Sequence, residues 1–203
     1  MNALNLLETP ILEGIQRLFG CAFCDTVMPI ISLFADKGVF WIALAAVLLC
    51  FKKTRKTGWM IGVALILGVV IGNGILKNVV VRIRPYDVEP SLMAVLARLG
   101  TPPLTDYSFP SGHTLACFEG AGVLLMTKHP KTGWIAFALA LLMMFARMYM
   151  AVHYPTDVLA GALLGLLFAW LGILIVNKAY DVIGKKWPNL MKAGKTEKTE
   201  KDR

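Results

Sequence analysis

The fold class this sequence predicts is an all-α polytopic membrane bundle of five or six transmembrane helices with an amphipathic N-terminal helix. Three observations predict it. Of 203 residues, 57% are hydrophobic, and the mean hydropathy is +0.63, far from the balance of a soluble domain. The charges gather in short clusters between long apolar runs. Each run of about 17 to 23 residues would rise roughly 26 to 35 Å as a helix, which matches a hydrocarbon core.

Residues 1 to 20 scatter Leu4, Leu6, Leu7, Ile11, Leu12, Ile15 and Leu18 among Asn, Glu, Gln and Arg. That is the pattern of an interfacial helix rather than a span, and it lacks the basic start and unbroken apolar stretch of a signal peptide. Residues 22 to 35 are apolar but short and hold Asp25 and Pro29; they read as a short or tilted span, with a re-entrant element as the alternative. Val39 to Phe51 is a span, followed at once by Lys52, Lys53, Arg55 and Lys56. Trp59 to Leu76 is the next, interrupted by Gly62, Gly68, Gly72 and Gly74, small residues that let helices approach closely in lipid. Lys77 to Pro110 forms one long, proline-rich polar connection, too long for a mere turn. Spans follow at about 113 to 127, 134 to 152 and 156 to 177. Residues 1–180 are expected to form one membrane-embedded domain, and 181–203 a basic cytoplasmic tail whose last stretch has the composition of disorder.

The basic clusters at Lys52 to Lys56, at Lys128 to Lys131 and from Lys178 onward all fall on one side by span count, and the positive-inside rule makes that side cytoplasmic. The long connection, the Ser111-Gly112-His113 turn and the corner from His153 to Asp157 then fall on the opposite face. The net charge of +8 restates this rule and points to anionic headgroups rather than nucleic acid. Cys21 and Cys24 have CxxC spacing, but no second pair and no nearby histidine argues for zinc or redox chemistry.

The chemistry is concentrated at the outer ends. Pro110-Ser111-Gly112-His113 at the mouth of an apolar run provides a tight turn and free amides at a helix N-terminus, where an anion is favoured. Lys77 and Arg84 alone would read as snorkelling interfacial cations. Arg147 lies six residues before His153, about 9 Å below the expected helix end, where a charge is costly and functional. With His153 and Asp157 it turns two ordinary interfacial histidines into a candidate site.

These residues also carry a family resemblance. Lys77 to Pro85 (KNVVVRIRP) fits K-x6-RP, Phe109 to His113 (FPSGH) contains PSGH, and Ala146 to Asp157 (ARMYMAVHYPTD) fits SR-x5-H-x3-D except at its first letter. The three motifs together resemble the type 2 phosphatidic acid phosphatase superfamily, whose membrane branch holds lipid phosphatases. The resemblance implies that Lys77, Arg84, Arg147 and the amides of Ser111 and Gly112 hold the phosphoryl oxygens. It also implies that His113 protonates the leaving oxygen, His153 attacks phosphorus and Asp157 orients His153, with no metal and no cofactor. Phosphoryl transfer needs chiefly positioning and charge neutralisation, which three cations and a turn of amides supply. Ala146 stands where the motif has serine, which removes one hydroxyl beside the phosphate or a neighbour. Glu119, at about the depth of Arg147, either pairs with a site cation or makes a structural helix-to-helix contact, and Asn73, one turn inside Lys77, is a candidate to support the site from behind.

The expected partners are the bilayer and a lipid phosphate or diphosphate: undecaprenyl diphosphate, phosphatidylglycerophosphate or phosphatidate. The expected setting is the cell membrane, with the site on the non-cytoplasmic face. Two other classes fit the motifs less well: a vanadate-dependent oxidant of the same superfamily, normally soluble, and a phospholipid-binding or transport protein that kept the site without catalysis.

Overall fold

The computed structural model describes residues 3–34, 38–127 and 129–186, and its regular structure is entirely helical. In chain order the elements are α1 (Ala3–Phe19), α2 (Ala22–Phe34), α3 (Val39–Cys50) and α4 (Arg55–Leu67), which runs through a π-helical stretch (Gly68–Leu76) into α5 (Lys77–Val80). Then come α6 (Pro85–Val88), α7 (Pro90–Arg98), α8 (Gly112–Met126), α9 (Pro130–Tyr149) and α10 (Pro155–Lys186).

Among the described residues three stretches are long and apolar enough to cross a membrane: Arg55–Val88, Pro130–Tyr149 and Pro155–Lys186. The pair α2 and α3, bent by 44°, passes the same test together, which makes up to four. The run expected to span at 113 to 127 is α8, only 15 residues, or about 22 Å. It is buried along nearly its whole length because α4, α9 and α10 pack around it. Its apolar sequence suits that burial, since a bundle core is as apolar as lipid, and it is shorter than the three stretches above. The last span is longer than expected: α10 continues to Lys186, past the boundary set at 180. The tail from 187 to 203 lies outside the described residues.

Small residues make the helix contacts. Ala64, Ala121, Ala140 and Ala169 are fully buried, while Trp134, Ile135, Leu163 and Trp170 are exposed, as expected where hydrocarbon is the solvent. A Cβ on Gly165 of α10 would stand 2.7 Å from both Leu115 O and Phe118 Cβ of α8. Only glycine permits that approach.

A second, smaller core caps one end of the bundle. The connection read as one long loop folds instead into α6 and α7, each opened by a proline in its first turn, where the missing N–H has no intrahelical partner to lose. Tyr86, Leu92 and Leu96 pack there with Leu12 of α1 and with Val152 and Tyr154. Helix α1 has two unlike faces. Its apolar Leu4, Leu7, Ile11 and Leu18 are exposed, and its polar Asn5, Glu8 and Thr9 are buried. The physical reason is a set of polar partners at the capped end, described below.

Candidate active site

A cavity of about 750 Å³ opens at that end, and Lys77, Arg84, Gly112, His113, Arg147 and His153 all line it. Each arrives on a different support. Leu65, Val69, Asn73 and Lys77, four residues apart, line the cavity from α4 through the π stretch into α5. That helix ends at Val81, whose left-handed φ of 51° reverses the chain so that Arg84 points back. His113 stands in the first turn of α8. Ala151, also left-handed at φ 55°, turns the chain between α9 and α10 and delivers His153.

Arg147 does not lie deep below a helix end. Helix α9 closes at Tyr149, so Arg147 sits in its last turn, and residues 150 to 154 fold back over it, with the Val152 amide donating to Arg147 O at 3.3 Å. Its Nη1 donates to Ser32 Oγ on α2 at 2.5 Å. Ala146 is fully buried beside Met28 and Tyr149, away from the cavity. A hydroxyl on the Arg147 guanidinium is therefore supplied by Ser32 of α2 and not by the motif position.

Two cations share one carboxylate. Lys77 Nζ donates to Asp106 Oδ2, and Arg84 Nη2 donates to Asp106 Oδ1 at 2.6 Å. Arg84 is fixed further by Asp106 O at 2.8 Å and Val152 O at 2.7 Å. Burial alone would raise the Asp106 pKa, but Lys77 and Arg84 outweigh it and hold the group at about 2.

Behind His153 is Asp157, fully buried and outside the cavity lining. Its Oδ2 accepts from Ser108 Oγ and from the Tyr154 amide at 2.9 Å, and lies 3.6 Å from His153 Nδ1. Burial, with Arg84 and Arg147 nearby, lowers the His153 pKa to about 3 although Asp157 opposes it. At neutral pH the ring is neutral, with Nδ1 on the carboxylate side and Nε2 available.

Ser111, Glu119 and Asn73 have different outcomes. The Ser111 amide donates to Asp157 O at 3.1 Å, and Ser111 is absent from the cavity wall; it ties the α8 turn to α10 instead of meeting a ligand. Glu119 lines the cavity but makes no ion pair among the described residues, and its Oε1 has no hydrogen-bond partner. Its carboxyl fills the space left by Gly68, where a Cβ would lie 2.1 Å from Oε1. Asn73 packs under the motif turn, so that a Cβ on Gly112 would meet its Oδ1 at 2.9 Å.

Sequence reasoning gave no individual role to Asp106, Ser108, Ser32, Arg82, Asn5 or Glu8. Arg82 was a wildcard inside the first motif. A signal existed for α1: Asn5, Glu8, Thr9 and Leu12 recur at i, i+3, i+4 and i+7, the spacing of a buried helix face.

Residues 57–181 match the PAP2 superfamily, a range that contains all three motifs. An undecaprenyl-diphosphatase of Sulfolobus acidocaldarius is 38% identical over 155 residues, covering 75% of this chain and 70% of the relative. The bacitracin transport permease protein BcrC of Bacillus licheniformis is 34% identical over 143 residues, covering 70% and 68%. Among solved structures, the transmembrane PAP2 type phosphatidylglycerolphosphate phosphatase from Bacillus subtilis aligns with a TM-score of 0.66 at 25% identity, over 88% of each chain.

Proposed function

The chain belongs to the PAP2 superfamily, and from that premise we propose that it hydrolyses a phosphomonoester or diphosphate of a membrane lipid through a phosphohistidine on His153, at the outer face of the membrane. The observation that carries this reading is the meeting of three cations and two histidines in one cavity. Lys77, Arg84 and Arg147 neutralise the phosphoryl oxygens, with the amides at Gly112 and His113 as donors at the α8 N-terminus. Nε2 of His153 attacks phosphorus, and the bond to the lipid oxygen breaks as His113 gives that oxygen a proton. Water then attacks the phosphohistidine, His113 takes the water proton, and phosphate leaves. Asp157 holds the Nδ1 side and stabilises the charge that develops on the ring.

The apolar side of the cavity, with Ile42, Leu65 and Val69, suits a lipid tail entering from the bilayer. The name of the Sulfolobus acidocaldarius relative puts a prenyl diphosphate first among substrates, ahead of phosphatidylglycerophosphate and phosphatidate. The test is phosphate release by purified protein from a panel of these lipids, with and without excess chelator. Turnover should persist in chelator because the three side-chain cations carry the neutralisation; strict dependence on added magnesium would remove that role from them. His153→Ala should abolish turnover and any trapped phosphoenzyme. His113→Ala should lose about 10²-fold with a lipid substrate but much less with p-nitrophenyl phosphate, whose leaving group needs little protonation. Equal loss on both substrates, with a phosphoenzyme still formed by His153→Ala, would reverse the assignment of acid and nucleophile.

A further inference from the structure

Resting on His153 as nucleophile, we infer that Glu8 and Arg82 are positioning residues: they fix Asp157 and set how much negative charge it presents to His153. Both lie outside the three motifs, and Glu8 precedes the residues matched to the superfamily.

The geometry is a buried chain of charges. Arg82 Nη1 donates to Asp157 Oδ1 at 2.6 Å, the oxygen opposite the one beside His153. The same guanidinium donates to Thr156 Oγ1 at 2.7 Å, to Asn5 Oδ1 at 3.0 Å and to Glu8 Oε2, and it lies over the Tyr154 ring at 4.0 Å. Glu8 accepts from the Thr156 amide at 2.7 Å, in the first turn of α10. Arg82 is 6% exposed, Glu8 4% and Asp157 0%.

Balance of charge gives this chain its function. Arg82 alone would neutralise Asp157 and leave little negative charge to stabilise the cationic ring formed on phosphorylation. Glu8 takes up the other side of the guanidinium, so the three groups together keep one negative charge next to His153. Attraction between buried charges is screened little. A clamp that only pinned α1 to α10 would give weak grounds for stability and none for an effect on chemistry, which is where the two roles separate.

The test compares Glu8→Gln, Glu8→Asp, Arg82→Gln and the Glu8→Gln/Arg82→Gln double variant, with kcat normalised to the fraction of protein that binds inorganic phosphate so that misfolded protein does not count. Glu8→Gln should lower kcat about tenfold, with KM and inhibition by inorganic phosphate unchanged, because the cation cradle is untouched. Glu8→Asp should recover most of the rate. The double variant should lose no more than Arg82→Gln alone, since Glu8 acts through Arg82. Parental kcat in Glu8→Gln, a loss confined to KM or to the active fraction, no recovery in Glu8→Asp, or losses that multiply would each overturn the inference. If instead His153→Ala stays active, the reading of the site fails and takes this one with it; a dead His153→Ala beside a fully active Glu8→Gln sinks the charge chain alone.

Discussion

Asp106 holds two of the three cations that a phosphate would need. With Lys77 and Arg84 on its two oxygens, its carboxylate competes with a phosphoryl group for the same donors, and its side chain is 52% exposed and free to leave. Asp106→Asn should therefore tighten inhibition by inorganic phosphate about two- to fivefold, the worth of a half-exposed ion pair. The pH dependence follows from the depressed pKa. The folded value is about 2 against an ordinary 3.8, so the stabilisation is fully present above about pH 4 and lost as pH falls through about 2. The difference in thermal midpoint between the parent and Asp106→Asn should shrink across that window and stay constant from pH 5 upward. Ser32 gives a second test at this scale. It accepts from Arg147 Nη1, so Ser32→Ala should loosen that guanidinium and raise KM for the lipid roughly tenfold with little change in kcat. An unchanged KM would mean that Arg147 is set by its other contacts.

At the scale of elements, what the sequence revealed and what it hid have different physical origins. Helices α9 and α10 were legible because each is one long apolar run between basic or proline breaks. The meeting of Lys77, Arg84, His113, Arg147 and His153 around one cavity was legible because they stand at the ends of such runs, in spaced motifs. Helix α7 was hidden because it is stabilised by contacts with Leu12 and Tyr154, far away in sequence. The burial of the polar face of α1 was hidden because its partners lie 74 to 148 residues further on. The left-handed backbone at Val81 was hidden too, since a β-branched residue is the last expected at positive φ. That strain costs on the order of 1 to 3 kcal/mol. Val81 is 46% exposed, so Val81→Gly should lose little burial and raise the thermal midpoint. A fall in midpoint would show that the turn is not strained. The α8–α10 contact makes the opposite prediction: Gly165→Ala should destabilise by about 1 to 3 kcal/mol. Turnover should fall with it, because the displaced pair carries His113 on one helix and Asp157 on the other.

At the scale of the whole molecule, the two ends of the bundle differ in chemistry. Lys56 Nζ lies over the Tyr180 ring at 5.2 Å, so the basic turn before α4 and the last turns of α10 occupy one end. Gly133 of α9 packs on the backbone of Leu124 and Leu125, which brings the basic turn near Lys131 to the C-terminal end of α8. The cavity, α1, α6 and α7 gather at the other end. By the positive-inside rule the basic end should face the cytoplasm, and the proposed function would then act on a lipid phosphate of the outer leaflet. The check is thiol accessibility in intact cells, in a background with Cys21, Cys24, Cys50 and Cys117 replaced. Pro102→Cys, exposed in the segment between α7 and α8, should react with an impermeant reagent at once. Lys53→Cys and Lys131→Cys, both exposed, should react only after permeabilisation. The reverse pattern would place the cavity on the cytoplasmic side, and the substrate would have to be an inner-leaflet phospholipid rather than a carrier lipid released outside.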